Sequence, residues 1–124
     1  MNHKRRHHFK KLLLAELRRH AQHINDEQAR ALDIANDDVK ESSDLALHGV
    51  LQELALQLSD RESRMVADID QALMRMGEGS YGVCVRCGQE IDDRRLEALP
   101  TARYDAPCQA EVEAAKGLGA GPSL

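Results

Sequence analysis

The spacing of the cysteines constrains this chain more than any other feature. All three cysteines lie in the last third of the sequence, and Cys84 and Cys87 form a C-x2-C turn. Asp105 and Cys108 repeat that spacing with a carboxylate in the first position. Two such turns can place four side chains around one ion, as in a two-knuckle zinc site. We predict one zinc ion bound through Cys84, Cys87 and Cys108, with Asp105 as the candidate fourth ligand. The alternative is that Asp105 only caps the helix entered at Ala106-Pro107 and the three cysteines are small buried side chains.

Composition favours an all-α protein. Aromatic residues make up 2% of the 124 residues, with no Trp and one Phe, and the apolar side chains are mostly aliphatic, as in helices packed side by side. The net charge of −4 argues against a nucleic-acid binder that depends on overall positive charge. The first residues lack the apolar core that a secretion signal needs, and no apolar run approaches membrane-spanning length, so we expect neither a signal peptide nor a membrane span. Unpaired cysteines in a C-x2-C arrangement fit a reducing cytoplasm, where we expect the protein.

Two apolar series predict a helical hairpin over residues 9–76. Residues 9–40 contain no Pro or Gly, so we predict one long amphipathic helix there. A second series in heptad register predicts one continuous partner helix, with Ser43 or Asp44 as its N-cap. Short polar connections join antiparallel helices, so the turn of this coiled coil is expected at about 37–46. The first series is Leu14, Leu17, Ala21, Ile24, Ala31 and Ala35; the second is Leu47, Leu51, Leu54, Leu58, Met65, Ala72 and Met76.

The rest of the chain divides into three further segments. Residues 1–8 form a basic N-terminal segment expected to be flexible and solvated. Residues 77–116 form the cysteine-containing knob with a C-terminal helix, and residues 117–124 are expected to be a flexible tail. A closed four-ligand site leaves no position for substrate, and the chain has no phosphate-binding glycine loop, so we predict no enzyme activity.

The residues around the cysteines resemble a known signature. The run is Tyr81-Gly82-x-Cys84-x-x-Cys87-Gly88-x-x-Ile91-x-x-Arg94-Arg95-Leu96-Glu97-Ala98-x-Pro100-x-Ala102. It is similar to the zinc finger of the DksA/TraR family, and the preceding helical hairpin is similar to that family's architecture. The resemblance implies a monomeric transcription regulator, connected with the stringent response, that inserts its coiled coil into the secondary channel of bacterial RNA polymerase. It also implies modulation of open-complex stability, often together with ppGpp.

The resemblance assigns roles to individual residues. The family's D-x-x-D-x-A tip, which acts near the polymerase active centre, matches Glu41, Asp44 and Ala46, with Glu in place of the first Asp. Arg61 occupies a position where the family contacts the polymerase rim.

One departure concerns the alarmone ppGpp. Members that bind it at the polymerase interface carry basic residues where this chain has Asp68, Leu99 and Gln109. A multiply charged phosphate needs cations, and an acid in their place repels it. We therefore expect this interface not to use ppGpp in the usual way.

Two other functions compete with the polymerase-binding regulator. One is a structural or adaptor coiled coil whose finger only stabilises the fold. The other is a zinc-ribbon nucleic-acid binder, which the acidic balance disfavours; we expect no sequence-specific DNA binding. Asp44→Asn separates the first two functions, because only a regulator should lose its transcriptional effect while staying folded.

Overall fold

The computed structural model describes residues 2–21, 30 and 41–119, except the side chains of 41–46 and 118–119. Five helices are described, and the chain divides into two compact units, residues 1–81 and 82–124. The predicted all-α class is confirmed, because the described residues form no strand and only one isolated antiparallel bridge, between Val83 and Glu90. The helices are α1 (His3–His20), α2 (Glu41–Ala55), α3 (Asp60–Glu78), α4 (Asp93–Ala98) and α5 (Ala106–Gly119).

Helix α1 begins earlier than the apolar pattern indicates. Asn2 is its N-cap, and the Asn2 side chain accepts a hydrogen bond from the backbone N–H of Arg5 at 2.8 Å. An Asn side chain satisfies one of the N–H groups that a helix start leaves without a partner. The expectation of a flexible segment over residues 1–8 is therefore wrong from His3 onward.

The described part of the first predicted helix packs as expected. Leu14, Leu17 and Ala21 are buried, and α1 packs on α3. The ring of Phe9, in the first half of α1, lies 5.9 Å from the ring of Tyr81, just beyond the end of α3. The start of α1 therefore lies at the end of α3, as the predicted antiparallel pairing requires. The remaining residues of that stripe lie outside the described residues.

The second predicted helix is divided in two, which corrects the expectation of one continuous helix. After Ala55 the chain makes three short-range turn bonds and then starts again at Asp60. Ser59 caps α3 by accepting from the N–H of Glu62 at 3.3 Å, and its hydroxyl donates to the Glu62 carboxylate at 3.0 Å. Ser63 Oγ bonds to the carbonyl of Ala55 at 2.5 Å, which closes the end of α2. This Ser-x-x-Glu capping box is a helix-start signal that the heptad pattern obscured.

Helix α2 turns back along α3. His48 Nδ1 of α2 lies 2.7–2.9 Å from the carboxylate oxygens of Asp70 of α3. His48 lies before the turn at 56–59 and Asp70 lies after it, so this contact means that the two helices run antiparallel. The same register brings the start of α2 level with the last turn of α3. Leu47, Leu51 and Leu54 of α2 are buried.

The first part of the predicted hairpin turn at 37–46 falls outside what the structure describes. Residues 37–40 lie outside the described residues, so a turn there stays a prediction. Residues 41–46 are helical, so Ser43 and Asp44 lie inside α2 and not at its N-cap, which corrects that assignment.

The second unit contains the finger, α4 and α5. Ile91, Leu96 and Ala102, which lie between the two cysteine-containing turns in sequence, are buried. Cys84 and Cys108, within those turns, are buried as well. The predicted C-terminal helix is present, but it continues through Gly119, three residues beyond its predicted end at 116. Residues 120–124 of the expected tail lie outside the described residues. Among the helices that the structure describes, none has the length and apolar character needed to cross a membrane.

Candidate metal centre

The first cysteine turn is held by backbone hydrogen bonds. The N–H of Gly88 donates to the carbonyl of Cys84 at 2.9 Å, and the N–H of Cys84 donates to the carbonyl of Gln89 at 2.8 Å. Gly88 has a φ of 77°, which side chains with a Cβ rarely adopt, so glycine permits the chain to reverse directly after Cys87. The turn brings the sulfurs of Cys84 and Cys87 to the same side.

The second turn joins Asp105 to the start of α5. Asp105 Oδ1 accepts a hydrogen bond from the backbone N–H of Cys108 at 2.9 Å, and Oδ2 lies 3.0 Å from Cys87 Sγ. Arg95, on α4, donates from Nε to the carbonyl of Tyr104 at 2.8 Å, which fixes the residue preceding Asp105. The Arg-Arg segment of the finger therefore supports the backbone from which Asp105 projects.

Four side chains converge on one point. The ligand atoms of Cys84, Cys87, Asp105 and Cys108 all lie within 4.8 Å of one another, and these are the only such group among the described residues. Ligands 2.3 Å from a tetrahedral zinc ion lie about 3.8 Å apart, so small side-chain movements would place all four around one ion. Three soft thiolate donors and one carboxylate are a chemically suitable set for zinc.

Hydrogen bonds and burial shift the pKa values of the four candidate ligands in different directions. Burial would raise the pKa of Cys84, but backbone hydrogen bonds from residues 86, 87 and 105 outweigh it and lower the pKa to about 7. The hydrogen bond to Asp105 raises the pKa of Cys87, and the same carboxylate, together with burial, raises the pKa of Cys108 to about 12. The bond with Cys87 also lowers the pKa of Asp105. Near neutral pH in the metal-free site, Asp105 is therefore ionised and Cys84 is partly ionised, while Cys87 and Cys108 keep their protons.

Comparisons with known proteins agree with this geometry. A family model described as "Prokaryotic dksA/traR C4-type zinc finger" matches residues 79–114. The "RNA polymerase-binding transcription factor DksA" of Caulobacter vibrioides is 35% identical over 105 residues, covering 85% of this chain and 68% of that protein. The chain belongs to the DksA/TraR family. An "Uncharacterized protein" of Aquifex aeolicus is 46% identical over 66 residues, an alignment that covers 53% of this chain and 46% of that relative.

A solved structure extends the DksA/TraR likeness to the fold. The structure of transcription factor DksA2 from Pseudomonas aeruginosa aligns with this chain with a TM-score of 0.60 and 26% sequence identity. The alignment covers 94% of this chain and 88% of the DksA2 chain. The zinc-finger match and the converging donors confirm the prediction of one zinc ion. The assignment of individual ligands stays a prediction, and Asp105 departs from the four cysteines of a C4-type finger.

The other predicted site residues of this DksA/TraR protein lie away from the metal centre in sequence. Glu41, Asp44 and Ala46 lie in the first turns of α2, with side chains outside the described residues. Arg61 is exposed in the first turn of α3, directly after the turn between α2 and α3. The roles of the three tip residues and of Arg61 in polymerase binding stay predictions.

The positions predicted to disfavour ppGpp are distributed over both units. Asp68 is exposed on α3, and Leu99 is 42% exposed after α4. Gln109 Nε2 donates to the carboxylate of Glu113 at 3.1 Å on α5. A carboxylate, an alkyl side chain and an engaged amide provide no positive charge at these three positions.

Sequence reasoning missed the polar pair between His48 and Asp70. Asp70 is largely buried, and it meets His48 although the two residues are 22 positions apart. Only the capping box at Ser59 could have indicated this pairing, because it places a helix start between them.

Proposed function

We propose that this protein binds bacterial RNA polymerase through the secondary channel and modulates transcription initiation by changing open-complex stability. The observation that carries the proposal is the 35% identity with a Caulobacter protein named as an RNA polymerase-binding transcription factor, extending over 85% of this chain. The described part of the chain provides a metal-binding finger and packed helices. It acts without catalysis of its own, as a monomer in the cytoplasm.

In this proposal Glu41, Asp44 and Ala46 act near the polymerase active centre. Carboxylates at the end of a helix can contact basic side chains or perturb groups around a catalytic magnesium ion. In the free protein the start of α2 lies back along α3, so the acidic residues reach outward only if α2 swings away at the turn 56–59. The heptad spacing of Leu54, Leu58 and Met65 across that turn is compatible with a continuous helix after such a movement.

Arg61 is proposed to contact the rim of the channel. Its side chain is exposed, and it directly follows the turn that ends α2. A guanidinium at this position can donate two parallel hydrogen bonds to a carboxylate of the partner.

The protein is proposed to act on polymerase without adding a ppGpp site. Asp68, Leu99 and Gln109 supply no cation for the phosphates, and the Asp68 carboxylate repels them. Radiolabelled ppGpp should therefore bind polymerase equally with and without this protein. Binding that requires the protein would contradict this part of the proposal.

Single-round transcription with Asp44→Asn tests the regulatory role. The substitution removes a charge and keeps the shape, so the variant should bind polymerase like the wild type while its effect on initiation falls at least about tenfold. Glu53→Gln is the matched control, because Glu53 is an exposed acid near the other end of α2 and its loss should leave the effect unchanged.

Photo-crosslinking from position 44 gives a second readout. The crosslinks should map to polymerase segments around the catalytic magnesium. If both variants behave alike and crosslinks fall elsewhere, the tip assignment is wrong. If the protein does not bind polymerase at all, the adaptor function replaces the proposed one.

A further inference from the structure

Asp105 presents its two carboxylate oxygens to two different groups. We propose that Oδ1 caps helix α5 whether or not metal is present, while Oδ2 is the fourth ligand of the metal ion. The single residue thereby keeps Cys108 in place for binding in the metal-free protein and completes the donor set when the ion arrives.

The capping role follows from the bonds at the start of α5. The helix begins at Ala106, so Asp105 is its N-cap and Cys108 is its third residue. Oδ1 accepts from the Cys108 N–H at 2.9 Å, and the Asp105 carbonyl accepts from the Gln109 N–H at 2.9 Å. These are the two bonds that an N-cap residue makes, and neither of them involves a metal.

The ligand role follows from the direction of the other oxygen. With Oδ1 engaged by the backbone, the carboxylate plane is set, and Oδ2 lies 3.0 Å from Cys87 Sγ. A carboxylate oxygen of Asp105 also lies within 4.8 Å of the sulfurs of Cys84 and Cys108. An oxygen already aimed at the thiols can bind zinc through one atom while the cap bond stays intact.

The two tasks respond differently to the chemistry of the side chain. Asn caps helices about as well as Asp but supplies a neutral oxygen, which is a poorer zinc ligand. Cys supplies a fourth thiolate, which zinc binds readily, but it has no oxygen to accept the Cys108 N–H. Ala supplies neither group. Position 105 therefore determines both the metal affinity and the order of the metal-free finger, and substitutions can separate these properties.

The test compares full-length Asp105→Asn, Asp105→Cys and Asp105→Ala with the wild type under reducing conditions. Zinc affinity is measured by competition with a chromophoric chelator. Order at the start of α5 is measured in the zinc-free protein as hydrogen exchange of the Cys108 amide by NMR. Asp92→Ala is the control. Asp92 caps α4 in the same unit by accepting a hydrogen bond from the N–H of Arg94 at 3.3 Å, and it is not one of the four candidate metal ligands.

The proposal expects opposite effects in the two measurements. Asp105→Asn should lose about tenfold or more in zinc affinity and leave Cys108 exchange within about twofold of wild type. Asp105→Cys should bind zinc more tightly and speed that exchange roughly 2- to 30-fold, the range that corresponds to loss of a cap. Asp105→Ala should show both losses, and Asp92→Ala neither.

Three results would overturn the proposal. Unchanged zinc affinity in Asp105→Asn would show that Oδ2 is no ligand. Unchanged Cys108 exchange in both Asp105→Cys and Asp105→Ala would show that Oδ1 holds nothing in the metal-free protein. An equal loss of affinity in Asp92→Ala would attribute the effect to general loss of structure and would also refute the dual role. None of these outcomes depends on polymerase binding.

Discussion

The contact between His48 and Asp70 provides a direct test of how α2 lies on α3. If α2 and α3 formed one straight helix, the 22 residues between the pair would separate them by about 33 Å. In the structure the two side chains are in hydrogen-bond contact, and Asp70 is largely buried. A double-mutant cycle with His48→Ala and Asp70→Ala therefore distinguishes the two arrangements by the coupling energy alone.

The expected coupling follows from the kind of contact. Residues in direct contact couple by about 0.5–3 kcal/mol, and a hydrogen bond to a charged partner lies in the upper part of that range. We expect about 1–2 kcal/mol for this pair, because His48 is partly exposed and solvent weakens the interaction. Each single substitution should lower the free energy of unfolding, and the second should cost less once the first has been made.

Urea denaturation of the zinc-loaded protein, followed by circular dichroism, measures the four free energies. The control cycle pairs His48→Ala with Asp60→Ala, an exposed acid ten residues from Asp70 and so about 15 Å further along α3. In the control cycle, the losses in free energy of unfolding caused by the two single substitutions should add up to the loss in the double variant within about 0.5 kcal/mol. Equally additive effects for His48 and Asp70 would refute the packing of α2 against α3 in solution.

Three further predictions concern the turn and the finger. Ser59→Ala removes the cap of α3 and should lower the free energy of unfolding by about 1 kcal/mol in urea titrations, with Ser59→Asp restoring it. Gly88→Ala forces a side chain into a left-handed φ of 77° and should cost about 1–2 kcal/mol in the same assay. Zinc binding should release about two protons above pH 7, from Cys87 and Cys108, and approach three below it, as Cys84 with a pKa of about 7 becomes protonated. Zinc affinity should accordingly rise with pH, and calorimetry in buffers of different ionisation enthalpy measures the proton count.

Local patterns were sufficient for the finger and for the helical class. The C-x2-C and D-x2-C spacings indicated one metal site, and the structure brings those four side chains together. This worked because each knuckle is made of residues only three positions apart, so its geometry depends on short-range turns and one glycine. The Pro107 segment likewise predicted a helix after the second knuckle, since first-turn signals act locally.

The heptad series was less informative than it looked. Leu47, Leu51 and Leu54 are buried as predicted, but the same residues can be buried along a continuous arm or against α3 after a turn. Apolar periodicity reports which face of a helix is buried and does not identify the helix that covers it. The Ser59 cap and the contact between His48 and Asp70 determine that α2 packs against α3 after a turn. The contact between His48 and Asp70 has no local sequence signature.

The amino-acid sequence alone indicated the four candidate metal donors, the apolar faces and the family, because these depend on residue type and short spacing. Folding in three dimensions settled the direction of α2 and the division of Asp105 between the Cys108 N–H and the Cys87 sulfur. Both depend on contacts between residues far apart in the chain, whose free energy is gained only when the intervening segments take up their positions.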